Sequence, residues 1–479
     1  MAITQRNTTL LHRKEWQMMT PSPVATSAGA FVIAPGSGNF NNALLVSSAT
    51  VHYLYNHDED GWMLIPSGAL VGTFGAGACG VFHPWSINYT ANGGSTTTVT
   101  VAAGTHNITG RAVGQAIEFI SAGTASGFRS TITGIINNAG SGTITLQFAD
   151  TAPTAILTTH TFKLLTGRYY VMNAGTIAAG IFKVFDIATM AWQANLSTTG
   201  LPGTWGTDGK LVTAYNHNED FSVGTATSGG ASTLTDSGKA WGTNQFYNYE
   251  VRITDGTGIG QYRTITSNTS TAITVSSAWS VQPDATSEYE IQANSDYLYL
   301  LGNNAVTMYR YSISGNTWST VAPTAARAAA PGVGMSANAI GKTGDANWAS
   351  EAALLDGRYI YSLRGGAGSV IDRFDIAGGT AGAGTWAAVT TINGETFTTG
   401  SSAFPMGEFL YIRKDATNRF FKYSVVDNAI RPLATNLYTD STAVLGHKIW
   451  VKNLDSTGTV RWLYSLMNTG TVLHRMMLY

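Results

Sequence analysis

The chain has 479 residues, of which 27 are Lys or Arg and 28 are Asp or Glu, so that only 11% are charged. Ordinary soluble domains carry about 25% charged residues. The balanced charge gives no electrostatic reason to expect binding to nucleic acid or to an anionic membrane surface. No apolar run approaches the length of a membrane-spanning helix. The single cysteine, Cys79, excludes a disulfide framework within the chain.

The first predicted element is an arm, residues 1–15. It lacks the apolar run of a secretory signal peptide and carries three cations, Arg6, Arg13 and Lys14. We expect this polar segment to dock on a neighbouring chain.

A repeated strand pair follows along the rest of the chain. An aromatic residue that ends one strand is followed seven residues later by Trp or Ile, in the next strand. The pairs are Tyr55 and Trp62, Phe185 and Trp192, Tyr311 and Trp318, and Tyr423 and Ile430; a longer turn separates Phe374 from Trp386, and Tyr464 precedes Val472. A supersecondary unit that recurs in this way indicates a repeat fold.

Each unit has a further strand upstream, with the two-residue alternation of β-structure. These strands are GRYYVM from Gly167, DYLYLL from Asp296, GRYIYSL from Gly357, GEFLYI from Gly407 and GHKIWV from Gly446, with AFVIAP from Ala30 as the first copy. Stretches of small residues begin at Gly72, Pro331 and Thr398 and predict a strand where neighbours crowd together. Four antiparallel strands in radial repetition form a propeller blade.

The predicted fold class is therefore all-β: a β-propeller of six blades with two small β-module insertions. The blades begin near residues 16, 67, 201, 324, 393 and 437. Seven blades would result if residues 1–40 held a further strand. The cadence of strand, aromatic doublet and Trp resembles Kelch-like propellers, although Gly365-Gly366 is the one good match to the Gly-Gly pair of that family.

Uneven spacing between the blades predicts two inserted modules, residues 94–165 and 223–293. Both combine a strand, a Gly-Thr turn and an aromatic-Arg pair, Phe128-Arg129 in the first and Tyr262-Arg263 in the second. Each module interrupts a blade between its first and second strands. The propeller then comprises residues 16–93 (blade one and the start of blade two), 166–222, and 294–479 (blades three to six).

The second module resembles a short β-module of tailed-bacteriophage structural proteins. The resemblance rests on TSGGASTLTDSGKAW, YEVRITDGTGIGQYRTITSN and SEYEI, between Ala226 and Ile291. It implies a virion location, other virion proteins as partners, and a symmetric homo-oligomer or multiple copies. It implies no chemistry.

The residues predict no catalytic, metal or cofactor site. The polar run Asn56-His57-Asp58-Glu59-Asp60 has oxygen ligands that suit calcium, but a solvated hairpin explains it as well. The run Gly256–Gly260 lacks the following helix of a phosphate loop and predicts a hairpin turn. Cys79 is interpreted as a small buried side chain, because a copper-oxidase site would need a motif that is missing.

Three tryptophans, Trp241, Trp279 and Trp348, fall in the inserts or in a long loop and are candidate binding aromatics. The leading functional hypothesis is a structural protein of a tailed-phage virion, in the tail, the neck or as a decoration protein, and not an enzyme. The first alternative is a host-surface glycan-recognition module that uses these aromatics. The second alternative is a Kelch-like enzyme or binding domain.

Overall fold

The computed structural model describes twenty-eight stretches of the chain. These are residues 16–25, 31–33, 42–46, 51–57, 59–65, 74, 78–102, 113, 115–125, 128–138, 142–173, 181–187, 190–202, 210–214, 222–301, 306–328, 337–340, 358–364, 369–379, 383–391, 395–397, 401–406, 409–414, 417–424, 427–435, 449–453, 461–467 and 470–478. The predicted arm, residues 1–15, lies outside them.

The regular secondary structure of the described residues consists of β-strands and one short 3-10 helix at Gly123–Ala125. The all-β prediction is confirmed. In chain order the strands are β1 (Trp16–Met18), β2 (Phe31–Ile33), β3 (Asn42–Val46), β4 (His52–Asn56), β5 (Gly61–Ile65), β6 (Cys79–Thr90), β7 (Thr98–Ala102), β8 (Ala116–Ser121), β9 (Arg129–Asn138), β10 (Thr143–Phe148), β11 (Thr161–Met172), β12 (Phe182–Asp186), β13 (Ala191–Trp192), β14 (Lys210–Thr213), β15 (Ser222–Thr225), β16 (Ser228–Gly230), β17 (Thr233–Thr235), β18 (Glu250–Asp255), β19 (Tyr262–Asn268), β20 (Ala272–Val275), β21 (Glu288–Gln292), β22 (Tyr297–Leu301), β23 (Met308–Ser312), β24 (Thr317–Val321), β25 (Ala337–Ile340), β26 (Tyr359–Leu363), β27 (Val370–Asp375), β28 (Thr385–Thr391), β29 (Ser402–Met406), β30 (Phe409–Arg413), β31 (Phe420–Ser424), β32 (Ala429–Pro432), β33 (Ile449–Asn453), β34 (Arg461–Leu466) and β35 (Leu473–Leu478).

Five antiparallel four-stranded sheets are separate blades. Their strand orders are β2-β3-β4-β5, β14-β22-β23-β24, β25-β26-β27-β28, β29-β30-β31-β32 and β33-β34-β35-β1. First strands of neighbouring sheets contact one another, as β14 contacts β25, β25 contacts β29, and β29 contacts β33. Sheets that meet along their first strands lie around a common axis, so the propeller-like arrangement is confirmed.

Two larger sheets contain the inserted modules. The eight-stranded sheet has the order β13-β12-β11-β8-β9-β10-β7, with β6 paired to β11, and the seven-stranded sheet has the order β15-β21-β18-β19-β20-β17-β16. Strands β7 to β10 lie between β6 and β11 in the chain, and β15 to β21 lie between β14 and β22. Both strands β6 and β11 run for 12 residues and join the propeller to the first insert without a break.

The ring closes through the N-terminal strand. Strand β1 pairs with β35, with Trp16 opposite Met476, so strands from the two ends of the described chain lie in one sheet. The units at the ends were assigned wrongly from the sequence. GHKIWV from Gly446 gives the first strand of the closing sheet instead of the second, and AFVIAP from Ala30 likewise gives a first strand, β2. The second strand of that sheet, β3, was missed.

Five of the six predicted pairs lie directly opposite each other on neighbouring strands, whereas Tyr464 lies opposite Arg475 and not Val472. These cross-strand partners are Tyr55 and Trp62, Phe185 and Trp192, Tyr311 and Trp318, Phe374 and Trp386, and Tyr423 and Ile430. Their rings also pack between blades: Phe182 of β12 lies 4.9 Å from Tyr311 and 5.1 Å from Trp318, centroid to centroid. The repeat is therefore a packing signal, because it brings one aromatic layer into each gap between sheets.

Candidate functional site

The two inserts have the same topology. The order β6-β11-β8-β9-β10-β7 in the first corresponds strand for strand to β15-β21-β18-β19-β20-β17 in the second, and the chain visits the strands in the same sequence. Register agrees as well: Glu118 lies opposite Lys163 in the first insert, and Arg252 lies opposite Glu290 in the second. Because cross-strand neighbours share one face of a sheet, each insert presents a charged pair on the corresponding face.

These two faces meet. Glu118 forms ion pairs with Arg252 of the other insert and with Lys163 of its own, the latter at 3.4 Å between Oε2 and Nζ. Arg129 spans the junction, with Nε 3.0 Å from Glu118 and Nη2 3.3 Å from Glu290. The inserts are thus joined by a network of three cations and two carboxylates.

Most side chains of this network are buried, so the loss of one ion pair would be costly. The side chains of Glu118, Glu290 and Arg252 are 1%, 6% and 10% exposed, whereas that of Arg129 is 39% exposed. Removing one partner of a buried ion pair strands an uncompensated charge and typically costs about 3–5 kcal/mol. Separation of the inserts would leave Glu118 and Glu290 without their partners across the junction.

A hydrogen-bonded chain connects the junction to the propeller. Glu250, next to the network on β18, accepts a hydrogen bond of 2.9 Å from the Ser295 hydroxyl. The Ser295 carbonyl accepts one of 2.8 Å from Nε2 of His83, and Nδ1 of His83 lies 2.7 Å from the Thr213 hydroxyl. Burial lowers the pKa of His83 to about 4 and raises that of Glu250 to about 7. The imidazole is therefore neutral at pH 7, and Nδ1 accepts a hydrogen bond from the Thr213 hydroxyl.

A cleft of about 450 Å³ opens beside the junction. Its lining combines polar and apolar surface and consists of Arg129, Val223, Gly224, Thr225, Arg252, Thr254, Glu288, Tyr289 and Glu290. Guanidinium, carboxylate and hydroxyl groups in one cleft can donate to and accept from a polyhydroxyl ligand. No local motif marks this site, because its residues belong to four strands of two modules.

The aromatic-Arg pairs of the two inserts are not equivalent, which the sequence comparison did not anticipate. Arg129 faces Glu118 across its hairpin, whereas the residue in that position of the second insert is Tyr262, which faces Arg252. A shift of one residue turns a side chain to the other face of a sheet. The Arg263 side chain accordingly lies on the other face, where it donates hydrogen bonds of 3.2 and 3.0 Å to the Ala278 carbonyl.

The candidate binding tryptophans of the second insert are core residues. Trp241 is 4% exposed and Trp279 is 6% exposed, and both belong to the hydrophobic core of that insert. Trp241 also donates a hydrogen bond of 3.2 Å to the Ser222 hydroxyl. Neither indole presents a free ring face, so the expectation that these two form sugar platforms is corrected. The third candidate, Trp348, lies outside the described residues.

The polar run at 56–60 holds the hairpin and the N-terminal strand in place. The Asp60 carboxylate accepts hydrogen bonds from the Thr20 amide, at 3.0 Å, and from the Tyr55 hydroxyl, at 2.6 Å. His57 is buried, and its Nε2 accepts a 2.7 Å hydrogen bond from Trp450. Asp58 is outside the described residues, and in the part of the chain that is described no three His, Cys, Asp or Glu side chains cluster as metal ligands.

Two other sequence motifs have structural roles. The run Gly256–Gly260 forms the turn between β18 and β19, as predicted, with Gly256, Gly258 and Gly260 at positive φ. Cys79 is buried in the hydrophobic core between two blades, as predicted. Within the described ranges, none of the helical structure has the length and hydropathy that a membrane-crossing helix needs.

No protein-family model matches this chain, and no curated protein matches it. A chain from a solved structure described as "Crystal Structure of Mitotic Checkpoint Complex" is similar, with a TM-score of 0.37 and 9% identity over 100% of this chain and 95% of that chain. A likeness at this TM-score carries no argument about function. The Kelch-like and phage resemblances therefore stay predictions.

Proposed function

We propose that this chain is a non-catalytic assembly component of a tailed-phage virion: a six-bladed propeller that presents its two inserts as one binding head. The observation that supports this most is the junction between the inserts. Two modules of the same topology emerge between the first and second strands of adjacent blades, and they are joined by buried charges. Recognition surfaces are commonly grafted on the loop ends of a rigid scaffold.

The sixth blade would be β6-β11-β12-β13, the part of the eight-stranded sheet nearest the axis. Strand β6 contacts β2 on one side and β14 on the other, and β33 contacts β2. Together with the contacts among β14, β25, β29 and β33, these close a ring of six first strands. This supports six blades rather than seven.

The virion location rests on the resemblance of residues 226–291 to phage structural modules. The low content of charged residues, 11%, also suits a chain that buries much of its surface against neighbours. One standard protein–protein interface buries about 1,200–2,000 Å² of accessible surface. A virion component with several neighbours should bury more surface than that.

Mass spectrometry of purified particles tests the location. We expect the chain in a fixed multiple of copies per particle, and a density map should show the inserts or residues 1–15 against other virion proteins. Absence of the chain from particles would refute the proposal. So would turnover of a polysaccharide that one Asp or Glu substitution abolishes.

The second candidate function is recognition of a host-surface glycan, which the polar cleft favours. The hydroxyls of Thr225 and Thr254 line it beside two guanidinium groups. Replacing both threonines with Val should weaken saccharide binding at least about tenfold, since buried polar groups of a sugar would lose partners. Thr266→Val, on β19 and away from the cleft lining, is the matched control. Equal binding by all three proteins would remove this candidate.

A further inference from the structure

The two inserts carry opposite charges at equivalent positions of the same face. Register places Glu118 of the first insert where the second has Arg252, and Lys163 where the second has Glu290. Both strand pairs also contain a register shift next to these residues. The side-chain charges are therefore reversed between structurally equivalent positions of the two inserts.

The equivalent positions also face each other in space. Glu118 contacts Arg252 directly, and both side chains are at most 10% exposed. The backbones approach closely nearby, because a Cβ added to Gly260 of the second insert would lie 3.1 Å from the Ile120 carbonyl oxygen of the first. Because the Glu118 side chain is 1% exposed, little water can screen a mismatched charge at its position.

We propose that this charge reversal is the specificity determinant of insert pairing: each insert recognises its charge-reversed partner and is repelled by a second copy of itself. Two copies of the first insert would bring Glu118 against Glu118, and two copies of the second would bring Arg252 against Arg252. Like charges in juxtaposition at an interface cost several kcal/mol. Copies of this chain then associate through surfaces other than these faces. This inference does not depend on the virion assignment.

Single reversals in the full chain reproduce the two disfavoured pairings. Glu118→Arg places two guanidinium groups at the centre of the junction, and Arg252→Glu places two carboxylates there. The double variant, Glu118→Arg with Arg252→Glu, again has one positive and one negative side chain at these two positions, with the charges exchanged between the inserts. Hydrogen exchange of the β8 and β18 amides reports opening of the junction locally.

We expect each single reversal to accelerate exchange in β8 and β18 at least about tenfold. The double variant should exchange more slowly than either single variant but faster than the native protein, because the exchanged charges then face the unchanged Lys163, Arg129 and Glu290. The matched control is the exposed pair Asp427 and Arg431, whose side chains are 55% and 68% exposed. The same reversals there should change local exchange less than about twofold.

Additive effects in the double variant would overturn the proposal, as would single reversals that leave exchange unchanged. If a reversal prevents folding, Glu118→Gln and Arg252→Gln serve instead. Each of these leaves one charge of the central pair opposite a neutral side chain, whereas together they remove both charges of that pair. The singles should then exchange faster than the double, and the opposite order would equally refute the pairing rule.

Discussion

Trp16 should contribute as much to stability as a tryptophan in the middle of the chain, although it belongs to the three-residue strand β1. It is 8% exposed, lies 4.6 Å from the Phe420 ring centroid, and its Nε1 donates a 3.2 Å hydrogen bond to the Ala434 carbonyl. It stands opposite Met476, in the fourth-strand position that tryptophans occupy in other blades.

The magnitude of Trp16→Ala follows from the buried area. A buried tryptophan removes about 150–250 Å² from water, which at about 25 cal/mol per Å² corresponds to about 4–6 kcal/mol. Measured large-to-small changes at such sites cost about 3–5 kcal/mol. Trp318→Ala is the matched comparison, because Trp318 is 3% exposed and donates a 3.1 Å hydrogen bond to the Ser197 carbonyl.

Urea unfolding followed by circular dichroism measures both variants, and proteolysis of the N-terminal segment reports release of β1. We expect similar losses of unfolding free energy from the two substitutions, and faster N-terminal cleavage in Trp16→Ala alone. A loss below about 1 kcal/mol for Trp16→Ala, with Trp318→Ala in the range of buried aromatics, would mean that β1 does not close the ring.

Two further predictions concern the inserts. Burial raises the pKa of Glu250 to about 7, so the ionised carboxylate destabilises the folded state. This loss of unfolding free energy is absent below about pH 4.5 and complete above about pH 7. Glu250→Gln should therefore raise the unfolding free energy by up to about 3 kcal/mol at pH 8 and change it little at pH 5. Equal pH dependence of native protein and variant, with the exposed Glu288→Gln as control, would refute this. Replacing residues 226–291 by a Gly-Ser bridge should leave a propeller that still unfolds cooperatively but has a lower unfolding free energy. Glu118→Gln in that deletion variant should recover part of the lost unfolding free energy. Failure of the deletion variant to fold would show that the insert belongs to the propeller core.

The blade pattern was predictable because it is local. Tyr311 and Trp318 belong to consecutive strands joined by a short turn, so a fixed spacing along the chain becomes a cross-strand contact. Alternation of bulky residues predicts a strand without knowledge of its partners. Both signals remain readable when the rest of the sequence has diverged between units.

The closing sheet could not be assigned from spacing. Its fourth strand comes from the other end of the chain, so the tryptophan that completes the pattern is Trp16 and not a residue near Val472. Reading onward from Tyr464 therefore shifted the assignment of that unit by one strand. A search for the missing tryptophan at the N-terminus would have found it.

The buried tryptophans of the second insert show why exposure is hard to infer from location. An inserted module needs a core of its own, and a small one must use its largest side chains to build it. Trp241 and Trp279 pack there with Phe246 and Tyr289. Residence in an insert consequently says little about whether an aromatic side chain reaches solvent.

The junction between the inserts was beyond sequence reasoning for a different reason. Aligning Phe128-Arg129 with Tyr262-Arg263 makes the two arginines equivalent, whereas the hairpin registers make Arg129 equivalent to Tyr262. The aligned motif hides the reversal, because the informative residues, such as Glu118, lie on neighbouring strands. Once register is known, the shared topology and the reversed charges have a common explanation. Two modules of one topology whose central charges are opposite can pair with each other within the same chain.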